Sequence, residues 1–256
     1  MAQMVILGTA AALPTATQAN TMLIVLNDEP RQGVMIDCGA GAYNALLRAG
    51  VDLDAFSDLF ITHAHIDHIG DLPSLIESLR LGGRSTGLHI WGIPEVIDIA
   101  RRLVKTFDFE ITMDVWSFPI TFHLVEPGAE IELGGYRAQV LAMEHSVPSV
   151  GVRLSLPHGE IAYTSDTKPC ANIAALGSGA HMLIAECTFL DQHAQFAEAT
   201  YHMTAKQVGE AARECDVRSV MLVHQGHWAP AEAIAEVQTA FGGQVVIPAD
   251  GHRIDI

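Results

Sequence analysis

The residues best suited to chemistry lie in one run, His63-Ala64-His65-Ile66-Asp67-His68, where three imidazoles and a carboxylate fall within six positions. Lone histidines are mostly structural, but four ligand-type side chains packed this tightly match the donor types of a divalent-metal site. Alternate residues can direct the His63 and His65 imidazoles at one cation, while the Asp67-His68 pair turns toward a second a few ångström away. Two such sites need more donors, and His145, Asp166 and His224 each close an apolar run. Side chains at strand ends converge on one rim while the strands hold them rigid. The expected cofactors are two divalent ions per chain, zinc in the first instance, with manganese or iron accepted by the same donors. Metal coordination lowers the pKa of water to about 7, so a hydroxide bridging the metals can attack phosphorus or a carbonyl carbon. Asp67 is the candidate to orient it while ligating.

Apolar stretches of strand length, residues 4–8, 22–26, 34–37, 59–62 and 88–91, alternate with helical segments at 43–49, 72–81 and 94–107. Pro94 suits the first position of its helix, and Gly50 stops the helix at 43–49. Two hairpins are expected next. One joins 130–133 to 137–143 through Gly134-Gly135, and the other joins 151–156 to 161–164 through Pro157-His158-Gly159. Beyond Asp166 the alternation resumes, with helices at 172–176, 205–215 and 231–241 and strands at 182–186, 220–223 and 244–248. Two βα-rich halves joined by hairpins predict an α/β architecture, a four-layer αββα sandwich forming one domain over residues 1–256. The six-residue run then falls on a loop between a strand and a helix.

At 49% hydrophobic and 17% charged, 256 residues suffice for a large core. No apolar run reaches the roughly 18 residues of a membrane span, and the N-terminus lacks a basic signal region, so a cytoplasmic protein is expected. Cys38, Cys170, Cys187 and Cys215 show no Cys-x-x-Cys spacing and read as reduced, buried small hydrophobes. A formal charge of −16 disfavours nucleic-acid backbones, which require clustered cations. The densest basic group, Arg101, Arg102 and Lys105, reads as the solvated side of a helix.

Across almost its whole length the chain resembles the ribonuclease Z-like branch of the metallo-β-lactamase superfamily. The resemblance rests on Leu7-Gly8-Thr9 with Leu13-Pro14, Ile36-Asp37-Cys38-Gly39, residues 60–68, His145-Ser146-Val147-Pro148, Tyr163-Thr164-Ser165-Asp166-Thr167, His202-Met203-Thr204-Ala205 and Leu222-Val223-His224. It implies the αββα fold, with His63, His65 and His145 on one zinc, Asp67, His68 and His224 on the other, and Asp166 bridging. It also places His202 beside the metals as a proton donor or charge stabiliser. Thr204 reads as the N-cap of the following helix, which leaves His202 on a loop.

The chain departs from the resemblance in three places. Only 20 residues separate His145 from Asp166, too few for the arm with which tRNA-processing members grip their substrate. Ala40-Gly41-Ala42 replaces an acidic continuation, and Gln225-Gly226-His227-Trp228 replaces a Ser- and Arg-containing run, making His227 and Trp228 pocket-wall candidates. The expected activity is therefore phosphodiester hydrolysis on small diesters. Carboxylic esters, lactones, β-lactams and sulfate esters are the alternatives, with tRNA 3′ processing and di-iron redox chemistry ranked below. No Gly-x-Gly-x-x-Gly signature supplies the flavin partner that the redox reading needs. A homodimer is compatible with this reading, and a membrane partner is not expected.

Overall fold

The computed structural model describes residues 2–27, 32–107 and 118–256. The first half forms β1 (Gln3–Gly8), β2 (Met22–Leu26), β3 (Gly33–Ile36), β4 (Asp58–Phe60), β5 (Leu88–Gly92) and β6 (Ile120–Leu124). With the C-terminal β14 (Arg253–Asp255) they make a seven-stranded sheet in the order β14-β1-β2-β3-β4-β5-β6. The second half contributes β7 (Glu130–Leu133), β8 (Tyr136–Met143), β9 (Ser149–Leu156), β10 (Gly159–Tyr163), β11 (Met182–Glu186), β12 (Ser219–Val223) and β13 (Gln244–Val246), ordered β13-β12-β11-β10-β9-β8-β7. Strands β3 to β6 run parallel, as do β10 to β13.

Strand periodicity explains why helices cover both sheets. Along β12, Met221 and Val223 enter the core that also holds β1 to β4, whereas Val220 and Leu222 join a second apolar cluster with the outer helices. Such alternation exposes an apolar face on each side of the sheet. Helices α3 (Leu72–Leu81) and α4 (Pro94–Thr106) cover the first sheet with α1 (Ala42–Arg48), and α5 (Ala171–Gly177), α7 (Ala205–Glu214) and α8 (Pro230–Gln238) cover the second. In α3 the buried residues are Leu72, Leu75, Ile76 and Leu79, one stripe at helical spacing. The result is the αββα sandwich.

The Gly134-Gly135 turn has φ of 56° and 82°, the left-handed pair that a two-residue hairpin needs between Leu133 and Tyr136. Three local readings are corrected. Strand β4 ends at Phe60 rather than residue 62, because Thr62 turns its backbone N–H to Asp37. Asp67 and His68 stand on a helical turn, α2 (Ile66–Ile69), where a loop was expected. Cys170 is half-buried, while Cys38, Cys187 and Cys215 are buried; all four are free thiols. Two short strands at sheet edges, β6 and β14, also lack a marked apolar run, since their side chains are largely half-exposed or exposed. The remaining short helix, α6 (Ala194–Ala199), precedes the His202 loop.

One buried cation ties the loops behind β4 together. The Arg84 guanidinium, 1% exposed, donates to the carbonyls of Leu53, Phe56, Thr86 and Gly87. It also lies 4.6 Å from the Phe56 ring centroid and 5.4 Å from that of Phe118. Burial pushes its pKa down to about 10, which still leaves it charged at neutral pH. Arg84→Ala leaves these buried carbonyls without their donor, and is expected to cost about 3–5 kcal/mol in urea unfolding. A loss below about 1 kcal/mol would mean that water replaces the guanidinium there.

Candidate metal centre

The acids and imidazoles gather at the carboxyl ends of the parallel strands, where side chains from adjacent strands can meet over one crevice. Asp37 follows β3, His63 follows β4, Asp166 follows β10, Glu186 ends β11 and His224 follows β12. His65 precedes α2, which carries Asp67 and His68, and His145 lies just beyond β8. Gly39 lets the loop after β3 press onto α2. A Cβ there would stand 2.1 Å from the Asp67 carbonyl oxygen, so only glycine allows this approach.

Donor atoms fall into two groups that share Asp166. His63, His65, His145 and Asp166 form one, and Asp67, His68, Asp166 and His224 form the other, with the atoms of each within 4.8 Å of one another. His63 Nε2 lies 3.2 Å from His65 Nδ1, which is 3.0 Å from His145 Nε2. Asp166 Oδ2 is 3.8 Å from His63 Nε2, 3.4 Å from His68 Nε2 and 3.1 Å from His224 Nε2. Asp67 Oδ2 is 3.5 Å from His68 Nε2 and 3.3 Å from His224 Nε2. Atoms about 2.0–2.1 Å from a tetrahedral cation stand about 3.3 Å apart, and the observed separations bracket that edge.

Hydrogen bonds behind the cluster set the tautomers. His68 Nδ1 donates to Asp37 Oδ2 at 2.8 Å, and His145 Nδ1 donates to the Tyr201 carbonyl at 3.0 Å. Thr62 Oγ1 gives its proton to Asp37, so it accepts from His63 Nδ1 at 3.1 Å. Thr188 Oγ1 likewise donates to Glu186 Oε2 at 2.8 Å and accepts from His224 Nδ1 at 2.9 Å. In their neutral forms His63, His68, His145 and His224 therefore all present bare Nε2 lone pairs inward. Among the described residues, His68 Nε2 and Asp166 Oδ1 are buried side-chain atoms without a hydrogen-bond partner. His68 Nε2 is 3.4 Å from Asp166 Oδ2 but lacks hydrogen-bond geometry with it, so both orphaned atoms sit where a cation would satisfy them. The residues present thus fit divalent metals.

Electrostatics agrees. Burial, then the neighbouring His68, holds the His63 pKa well below its ordinary value, keeping it a neutral donor. Burial also leads in lowering His65 and His145. At Asp166 burial opposes the charge, but His224 and His68 outweigh it and keep the carboxylate ionised. For His68 burial is likewise outweighed, by Asp166 and Asp37, and its pKa rises well above the usual imidazole value. A cation arriving there takes the place of that proton.

Glu186, Thr188, Asp37 and the Tyr201 carbonyl were not picked out as site groups in the sequence. Buried Glu186 is the junction: Oε1 accepts from His202 Nδ1 at 2.8 Å and from the Thr167 N–H at 3.1 Å, while Oε2 accepts from Thr188. Glu186, His202 and His224 also cluster closely enough to suggest a third ion, but this hydrogen bonding already accounts for Glu186. The available signal was an acid ending an apolar strand, as at Asp166. Thr204 caps α7 with Gln207 in a capping box, so His202 projects from the preceding loop, stacked 5.3 Å from His224. Burial opposes the His202 charge, but Glu186 raises its pKa to about 9, with Asp166 and Asp67 adding to the shift. Among the described residues five non-glycines have positive φ, and Asp37, Ser165, Tyr201 and His224 are four of them. Strained backbone thus concentrates at the cluster.

Residues 33–225 match the model of the beta-lactamase superfamily domain. The chain belongs to that superfamily. Among curated relatives of this superfamily chain are ribonuclease Z of Haloferax volcanii, 26% identical over 98% of this chain and 93% of the relative, and ribonuclease Z of Methanothermobacter thermautotrophicus, 27% identical over 88% and 86%. Among solved structures, the metallo-beta-lactamase fold protein YhfI from Bacillus subtilis superposes with a TM-score of 0.83 at 21% identity, covering 99% of this chain and 98% of that one. Human tRNase Z, short form, gives 0.80 at 21% identity, with 99% of each chain covered. The superfamily fold therefore carries the donor cluster at its strand ends. No helix among the described residues is long and apolar enough to cross a membrane.

Proposed function

We propose that this protein is a binuclear metal-dependent phosphodiesterase, with His63, His65 and His145 on one cation, Asp67, His68 and His224 on the other, and Asp166 shared. The observation that carries the reading is the pair of buried atoms without hydrogen-bond partners, His68 Nε2 and Asp166 Oδ1, inside the two donor groups. Two divalent ions, zinc or alternatively manganese or iron, would polarise a phosphoryl oxygen and bring the pKa of coordinated water to about 7. Asp67 Oδ2 lies between His68 Nε2 and His224 Nε2, suited to orient the attacking water. His202, with Nδ1 held by Glu186, whose carboxylate raises its pKa, is placed to carry a proton for the leaving oxygen.

The substrate proposed is a small diester. The formal charge of −16 opposes long polyanions, and the 20 residues between His145 and Asp166 are occupied by the β9–β10 hairpin and its flanks. A second reading, RNA 3′ processing, is favoured by the relatives named ribonuclease Z. Turnover of bis(p-nitrophenyl) phosphate against cleavage of a precursor tRNA with a 3′ trailer, in one low-salt buffer, separates the two. Efficient trailer removal at a single position would replace the small-diester reading. Inertness of the zinc- or manganese-loaded protein toward both would remove the phosphodiesterase reading altogether.

A further inference from the structure

A cavity of about 580 Å³ shares a wall with the metal cluster and has no part in the steps above. The shared wall is Thr188, whose hydroxyl links Glu186 to His224. Beyond it stand three aromatic side chains, Phe189, Phe196 and Trp228. Phe189 and Phe196 meet edge to face with centroids 5.4 Å apart, and the Phe189 ring lies 6.1 Å from that of His202. Trp228 is held in place by donating its indole N–H to the Cys187 carbonyl at 2.9 Å. Among the described residues no lysine or arginine lines the cavity, so it lacks the permanent cations that hold a phosphate chain.

Exposed apolar side chains also line the cavity: Leu13 is 67% and Phe196 59% exposed. Single exposed hydrophobics need no explanation, but their place in one cavity beside the cluster suits a binding surface. Its Phe189 wall stands against the His202 ring beside the donor cluster, so an ester centred on the cluster can place one of its groups in the cavity.

We propose that this cavity is a substrate pocket and that it takes a planar aromatic ring attached to the scissile ester. The inference rests on the hydrolase reading. Edge-to-face and stacked contacts favour flat rings over compact aliphatic groups of similar polarity.

The test uses two phosphodiesters with leaving alcohols of comparable acidity, methyl 2-naphthyl phosphate and methyl hexafluoroisopropyl phosphate. Metal-loaded wild-type protein is expected to prefer the naphthyl ester by about tenfold in kcat/KM, through KM, the scale of one or two aromatic contacts. Trp228→Ala and Phe196→Ala should each cut that preference severalfold, and Phe196, being exposed, can be replaced without loss of the fold. Equal turnover of the two esters by wild type overturns the pocket and leaves the hydrolase reading standing. If neither ester turns over, the hydrolase reading falls, and calorimetric binding of 2-naphthol decides the pocket separately. Saturable binding that weakens severalfold in Phe196→Ala supports it; no saturation, or equal affinity in the variant, overturns it.

Discussion

Asp166→Ala is expected to empty both cation positions together and lower kcat/KM on diesters by at least about 10³-fold, more than the 10–100-fold typical of residues that only support a ligand. The reason is its place in both donor groups. Asp166 Oδ2 faces His63, His68 and His224, while its Oδ1 has no other partner. Among the described residues no other side chain belongs to both four-donor groups. A variant of a ligand confined to one group, such as His145→Ala, should instead retain the second ion. Elemental analysis of metal-replete protein checks this: two ions per chain in wild type, fewer than one in Asp166→Ala and about one in His145→Ala. Full metal content and activity in Asp166→Ala would remove it from the shared position.

The next largest effect is expected at the Glu186–His202 pair. His202→Ala should keep its metals and lose about 10²–10⁴-fold in kcat on alkyl diesters, the range of general-acid catalysis. The loss should shrink on p-nitrophenyl esters, whose leaving group needs no proton. The pH profile supplies the sign. A raised pKa keeps His202 protonated below it, so the rate on alkyl esters falls as pH rises through that value. Bound cations offset the contributions of Asp166 and Asp67, so the falling limb should lie between about 6.5, the ordinary imidazole value, and about 9. Glu186→Gln removes the leading source of the increase and should move the limb to lower pH. A limb at the same pH in Glu186→Gln would detach the acid from His202. Equal impairment of His202→Ala on aryl and alkyl esters would assign it charge stabilisation instead.

Much of this molecule is encoded locally. Residues 22–26, 72–81 and 182–186 form the elements their periodicity predicts, with those bounds, because apolar alternation and helical stripes report directly on which faces are buried. The short edges β6 and β14 escaped because edge strands bury too little to carry a strong pattern. Among the site groups, the run from His63 to His68 stands out because its donors are adjacent in the chain. His145, Asp166 and His224 are legible as polar residues closing apolar strands. Asp37 and Glu186 obey the same rule, yet a single acid at a strand end has no meaning until its partner is known.

Those partners are distant in the chain and brought together by the two sheets. Asp37 meets His68 across 31 residues and Tyr163 across 126, and Glu186 reaches His224 through Thr188. Sequence alone determined the residue types that can bind metal and the strands that end at them. Only the tertiary structure decided which imidazole nitrogen faces inward and which acid holds His202, and set an aromatic cavity beside the cluster. The physical reason is that hydrogen bonding and electrostatic shifts act over a few ångström between side chains, whatever their separation along the chain.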